Sequence, residues 1–255
     1  MKLFSLKRIV CLVLLLNLFC LQNSKVKAQS SDNSNDSEYG LWTELDFKKE
    51  ITKKLDLSFG GEFRTKDKIS SVARFTANVG LSYDVLSFLK ASFDYKYIYK
   101  KKSSEITNKN NYIPSYWSPR HRFLFSLKGE YEWRNFEFSL RERYQYTYSE
   151  SLSVDKYDGE TGEQKNDEYM GSDSDNVFRS RLKVDWNIKD VRYTPFVSYE
   201  FFNYASDLEL KKTRFKLGTE YKLNKHHSFD FYYCFQKDMN YSDKNIIGVS
   251  YKIKF

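Results

Sequence analysis

From Tyr39 to Phe255 the chain alternates apolar and polar residues, the period of a strand whose two faces meet different surroundings. Residues 178–189 show it most cleanly. Phe178, Ser180, Leu182, Val184, Trp186 and Ile188 fall on one face, and Arg179, Arg181, Lys183, Asp185, Asn187 and Lys189 on the other. A period of 3.6 would mix the two sets. The same pattern runs through Phe75, Ala77, Val79 and Leu81, through Phe123, Phe125 and Leu127, and through Phe229, Phe231, Tyr233 and Phe235. Ile98 is an exception, an apolar residue in the polar register.

Read this way, the chain predicts strands at 39–49, 54–65, 71–85, 88–100, 119–133, 135–149, 177–189, 191–204, 211–223, 227–238 and 245–255. A tilted barrel strand needs roughly 9–11 residues to cross the hydrocarbon layer, so each is long enough. Short turns at 50–53, 86–87, 134, 190 and 224–226 alternate with longer polar loops at 66–70, 101–118, 150–176, 205–210 and 239–244. Short periplasmic turns and longer extracellular loops are how outer-membrane barrels are connected. The expectation is therefore an all-β, antiparallel transmembrane β-barrel. Single-chain bacterial barrels have an even number of strands, so eleven candidates point to twelve strands, with ten as the alternative. Loop 150–176 is acidic and is expected to be a solvated, mobile external loop.

Composition agrees with that reading. The chain carries 21 Tyr and 21 Phe, rings suited to a membrane–water interface, and only 3 Pro to interrupt strands. Its mean hydropathy of −0.69 does not argue against a membrane, because two opposite faces cancel in the average. After the N-terminus no apolar run is long enough for a transmembrane helix.

Residues 1–28 read as a secretory signal peptide: Lys2, Lys7 and Arg8 precede an apolar stretch from Ile9 to Leu21, and Ala28 ends the segment. Residues 29–38 read as a flexible linker and 39–255 as the barrel. Lys2, Lys7, Arg8, Lys25 and Lys27 supply five of the formal +8, which leaves +3 for the mature chain and removes most of the case for nucleic acid. Cys234 is then the one cysteine left, so neither a disulfide nor a C-x-x-C metal motif is available, and no cofactor is expected. The terminal Ile253-Lys254-Phe255 has the form of a strand-end signal to the barrel-insertion machinery, with outer-membrane lipid as the other partner and small solutes possible.

The segments PRHR at 119–122, RERYQYTY at 141–148, RSRLK at 179–183, TPF at 194–196, YKLNKHHSFDFYY at 221–233 and NIIGVSYKIKF at 245–255 resemble the outer-membrane barrels grouped as domain of unknown function 2490. The resemblance covers most of residues 39–255. It implies fold and location, and the family carries no assigned activity.

Candidate chemistry lies on the polar face. Arg122, Arg141, Arg143, Arg179, Arg181, Lys183, Asp185, Arg192, Glu200, Arg214, Lys216 and Glu220 are the expected lumen lining. Such a lining is either an internal ion-pair network or the selectivity surface of a narrow passive channel. Two other readings stay open: an envelope-lipid enzyme using His121 with Ser118 nearby, and a surface binding module acting through the loops. Adjacent His226 and His227 would point to opposite faces, which argues against a zinc site. Glu142 falls on the apolar face with Phe138, Leu140 and Tyr144, and a bulge that shifts the register is the expected explanation.

Overall fold

The computed structural model describes residues 38–255, so the signal-peptide reading and nearly all of the linker lie outside the described residues. Glu38, the linker's last residue, opens the first strand.

The described chain is strand throughout: β1 (Glu38–Thr52), β2 (Leu55–Lys66), β3 (Ser71–Leu86), β4 (Leu89–Lys102), β5 (Glu105–Ile106), β6 (Asn111–Ile113), β7 (Tyr116–Trp133), β8 (Phe136–Ser149), β9 (Leu152–Asp158), β10 (Gln164–Met170), β11 (Asp173–Trp186), β12 (Tyr193–Tyr204), β13 (Leu210–Lys222), β14 (His227–Asp238) and β15 (Lys244–Lys254). Eleven of these close into a barrel in the order β1-β15-β14-β13-β12-β11-β8-β7-β4-β3-β2. Every neighbouring pair is antiparallel except β1 and β15, which run parallel from Glu38↔Lys244 to Lys48↔Lys254.

That pair corrects the expected strand number. The parity rule holds when the first and last strands run in opposite directions and both chain ends share a rim. Here β1 and β15 both run from the long-loop rim to the short-turn rim, and a parallel closing pair makes an odd count consistent. The eleven strand candidates all exist; twelve and ten are both wrong.

A second correction concerns the long loops. Residues 101–118 and 150–176 hold β5, β6, β9 and β10, joined as a four-stranded sheet in the order β10-β9-β6-β5 at the long-loop rim. Ile113 of β6 and Val154 of β9 are its buried residues. Lys156 bonds Glu168 across the β9–β10 hairpin at 2.8 Å, and Lys165 reaches Asp158 at 2.6 Å. The Lys165 ammonium and the backbone N–H groups of Thr161 and Glu160 hold the Asp158 carboxyl well below the usual carboxylate range. The acidic composition hid a paired hairpin.

The barrel's outer wall is an apolar band. Phe59, Val79, Leu81, Phe93, Phe125, Phe178, Leu182, Leu217, Phe231 and Ile247 all point outward and are exposed. An exposed apolar surface of this extent belongs against lipid rather than water. Aromatic pairs mark both edges. Tyr99 stacks on Trp117 with centroids 4.9 Å apart towards the long-loop rim. Phe136 stacks on Trp186 at 6.1 Å, and Tyr193 packs on Tyr221 at 4.9 Å, towards the short-turn rim. Phe255 stacks over Phe47 at 6.5 Å, and its N–H donates to the Lys48 carbonyl at 2.9 Å, which ties the terminus to the closing seam.

Candidate functional site

Strand alternation sends the charged face inward, and the interior organises around two carboxylates. Glu200 on β12 lies 2.6 Å from Arg141 on β8, 3.0 Å from Arg179 on β11 and 3.5 Å from Arg214 on β13. Glu62 on β2 is paired by Arg64 at 2.6 Å and by Arg74, whose Nη2 donates a short bond to it. Both carboxylates are almost wholly withdrawn from solvent, with side-chain exposures of 6% and 7%. A buried charge holds its place only when paired and hydrogen-bonded, and these are.

Several of the remaining cations have no carboxylate in contact, while Glu44 accepts from Tyr232 and Ser250 at 3.3 Å. Arg143 donates to Ser126 at 2.7 Å and stands 3.8 Å from Asp94. Arg122 donates its Nε proton to Thr147 at 3.0 Å and, like Arg181, Lys96, Lys212 and Lys216, has no carboxylate of the described residues within 4.0 Å. The Nε atoms of Arg64, Arg141, Arg179, Arg181 and Arg214 are buried without a partner.

Aromatic rings fill the space between. Trp42, Phe196, Tyr232, Cys234 and Ile246 form a buried interior cluster. The Arg64 guanidinium lies 3.4 Å from the Trp42 ring centre, with Arg214 at 4.9 Å from the same ring. Phe202 receives Arg179 at 4.5 Å and both Arg214 and Lys212 at 4.9 Å. Each ring face adds a cation–π contact to a guanidinium that Glu62 or Glu200 already pairs, and Phe202 gives one to the Lys212 ammonium. Glycine makes the crossing possible: a Cβ at Gly248 would meet the Tyr232 ring at 2.0 Å, and one at Gly218 would meet Phe196 at 2.8 Å. Ile98, the exception to the alternation, turns inward and is buried, as are Leu124 and Val177.

Towards the short-turn rim, Lys183 bonds Asp185 and lies 4.6 Å over the Phe196 ring, Lys216 lies 4.2 Å over Tyr232, and Glu220 accepts from Ser228 at 2.9 Å. Arg192 is placed elsewhere: it sits in the turn between β11 and β12, outside any strand, and is exposed. The strand expected to begin at residue 191 begins at Tyr193, which leaves Arg192 outside the lining. Reading the residues missed the interior rings and Lys212. The signal was present, since Trp42, Phe196, Phe202 and Tyr232 occupy polar-register positions and Lys212 is two residues before Arg214.

The outer wall carries a separate polar group. The ring of His121 hydrogen-bonds the Tyr95 hydroxyl at 2.7 Å through Nδ1 and the Glu150 carboxylate through Nε2. Ser118, three positions away, lies on the opposite face and is buried, so the two do not meet. His226 donates to the Lys254 carbonyl at 2.9 Å, while His227 bonds the Tyr251 hydroxyl at 2.7 Å. Glu142 faces outward without a bulge: β8 keeps continuous register with both β7 and β11. Ser180, directly opposite, donates to Glu142 at 2.5 Å.

The chain is similar to solved β-barrels. The translocator domain of autotransporter NalP from Neisseria meningitidis is similar with a TM-score of 0.52 at 12% identity, over 74% of this chain and 72% of that one. The β-domain of the Bordetella autotransporter Brka gives 0.47 at 9% identity, over 79% and 82%. The CymD monoaromatic hydrocarbon channel gives 0.41 at 11% identity, over 74% and 66%. At 12% identity the NalP likeness speaks to fold alone. No curated protein matches the chain. A family model described as protein of unknown function (DUF2490) matches residues 39–246, and the chain belongs to that family.

Proposed function

We propose that the protein is an outer-membrane β-barrel that passes small anions through a narrow, cation-lined interior. The observation that carries this reading is a set of inward cations with no carboxylate in contact. Arg122, Arg181, Lys96, Lys212 and Lys216 face the interior with no carboxylate of the described residues within 4.0 Å. An interior built only to fill itself would pair its charges, because each unpaired buried cation costs stability. The unpaired guanidinium groups of Arg122 on β7 and Arg181 on β11, with β8 between them, instead form a surface that takes carboxylate or phosphate through a planar fork. The rings at Trp42, Phe202 and Tyr232 narrow the path, so the conductance is small.

The apolar outer band, the aromatic pairs at both edges and the NalP-like fold support an outer-membrane location with lipid as the surrounding partner. The exposure of Phe255 at the closing seam supports the reading that insertion machinery engages the last strand. The test is single-channel recording from the purified barrel in a planar bilayer under a salt gradient. Small steps whose reversal potential follows the anion are expected, and Arg181→Glu shifts that potential towards the cation. A folded barrel that stays electrically silent, or conducts cations preferentially, refutes the reading.

A further inference from the structure

In the half of the interior nearer the long-loop rim, three cations from three strands converge. Arg122 on β7, Arg179 on β11 and Lys212 on β13 are linked by contacts: Arg122 and Gln145 share the Thr147 hydroxyl at 3.0 and 3.3 Å, Arg179 donates to Gln145 at 3.2 Å, and Arg179 and Lys212 lie 4.5 and 4.9 Å from the Phe202 ring centre. Their existing partners leave donors over. Arg122 spends Nε on Thr147 at 3.0 Å, and neither of its terminal nitrogens makes a hydrogen bond within the described residues. Arg179 gives one terminal nitrogen to Gln145 at 3.2 Å and the other to Glu200 at 3.0 Å. The Lys212 ammonium makes no hydrogen bond among the described residues and stands 4.9 Å from the Phe202 ring centre; Asp238, directly opposite on β14, is more than 4.0 Å from it. Thr147 accepts from both Arg122 and Gln145 and so has its own hydroxyl proton to donate.

We infer that Arg122, Lys212 and the Thr147 hydroxyl form a binding site for a tetrahedral oxyanion of the phosphate class. The fit is chemical. A phosphate oxygen pair matches the two terminal nitrogens of Arg122, which leave the guanidinium in a fixed fork. Lys212 supplies a point charge from the facing strand, and Thr147 supplies one neutral donor. Glu200 does not fill this role. Its oxygens contact Arg141, Arg179 and Arg214, and neither Arg122 nor Lys212 lies within 4.0 Å of any carboxylate of the described residues. The site is therefore a second node beside the Glu200 node, with the ligand as its counter-ion. A monovalent halide would satisfy the charge but not the fork, so the site distinguishes oxyanions from chloride. The inference deepens the anion-passing reading by naming the solute class, and it relies on that reading only for what the binding achieves.

The experiment is calorimetric titration of the detergent-folded barrel with inorganic phosphate in a chloride background, with glycerol phosphate as a second arm. Phosphate is expected to bind, and Arg122→Gln and Lys212→Gln each to weaken it about tenfold or more. Arg122→Lys keeps the charge but loses the fork and is expected to fall between wild type and Arg122→Gln, which separates lost recognition from lost folding. Equal binding of glycerol phosphate identifies phosphorylated solutes as the source; phosphate alone identifies the free ion. Heat released equally by chloride and phosphate, or phosphate binding untouched by both Gln variants in folded protein, overturns the site. Because titration needs no current, a barrel that conducts anions but binds no phosphate refutes this inference alone. One that binds phosphate yet is silent in the bilayer refutes only the channel.

Discussion

Replacing Glu200 by Gln tests whether the interior is held by its ion pairs. The change keeps the shape and removes one negative charge from among Arg141 at 2.6 Å, Arg179 at 3.0 Å and Arg214 at 3.5 Å. At an effective dielectric of about 20, charges about 4 Å apart interact by about 4 kcal/mol, and three such contacts exceed that before desolvation offsets them. Breaking a buried pair by removing one partner costs about 3–5 kcal/mol net, because uncompensated charge is left behind. That is a large share of the roughly 5–15 kcal/mol that holds a domain together. The assay is urea unfolding of the barrel in lipid vesicles, followed by tryptophan fluorescence. The reporters include Trp42, buried beside Arg64 and Arg214. The midpoint should fall by the equivalent of about 3–5 kcal/mol, and adding Arg141→Gln to Glu200→Gln should recover part of the loss. A change below about 1 kcal/mol would place these contacts with surface pairs screened by water. The account of Glu200 as a buried, paired counter-ion would then be wrong.

Further outcomes follow from packing. Gly248→Ala drives a methyl group into the Tyr232 ring and should cost about 1–3 kcal/mol in the same unfolding assay, with Tyr232→Leu restoring stability to the double variant. Deleting 151–172, which removes β9 and β10, should leave heat-modifiable gel mobility intact, because that hairpin pairs with β6 outside the barrel and not with its wall. Loss of the folded band would show that the outer sheet is part of the barrel's stability. Trp42→Ala should cost about 3–5 kcal/mol by opening a cavity between two guanidiniums, and a neutral result would mean the ring is not packed.

The barrel was legible because period two is unambiguous over strands of 11 to 18 residues, and a single slipped residue would have turned Arg179 and Arg181 into lipid. Register, by contrast, follows from pairing across the whole wall. Nothing local in β1 says that Glu38 faces Lys244 in a parallel pair, so parity gave an even number. Glu142 shows the same limit. A local reading of one acid among apolar neighbours prefers a bulge, whereas Ser180 on the adjacent strand supplies a partner with no change of register. Ile98 shows the converse, since what looks like a broken alternation is a correct one whose inward residue is apolar.

Those inward apolar residues change what the charges can do. In a wide water-filled lumen, scattered arginines would be hydrated and screened, and their pairing would contribute little. Here Trp42, Phe196, Phe202 and Tyr232 displace water from the centre. Each guanidinium must then find a carboxylate, a ring or an exchangeable anion. Glu62 and Glu200 serve as fixed counter-ions, and Trp42 and Phe202 serve as ring faces. Those partners do not reach Arg122. The same rings that narrow the path therefore make its unpaired cations attractive to a solute, so widening the interior by Phe202→Ala should raise conductance while lowering anion preference. If both rose together, the rings would be acting only as a steric plug, with no influence on the field that the arginines set.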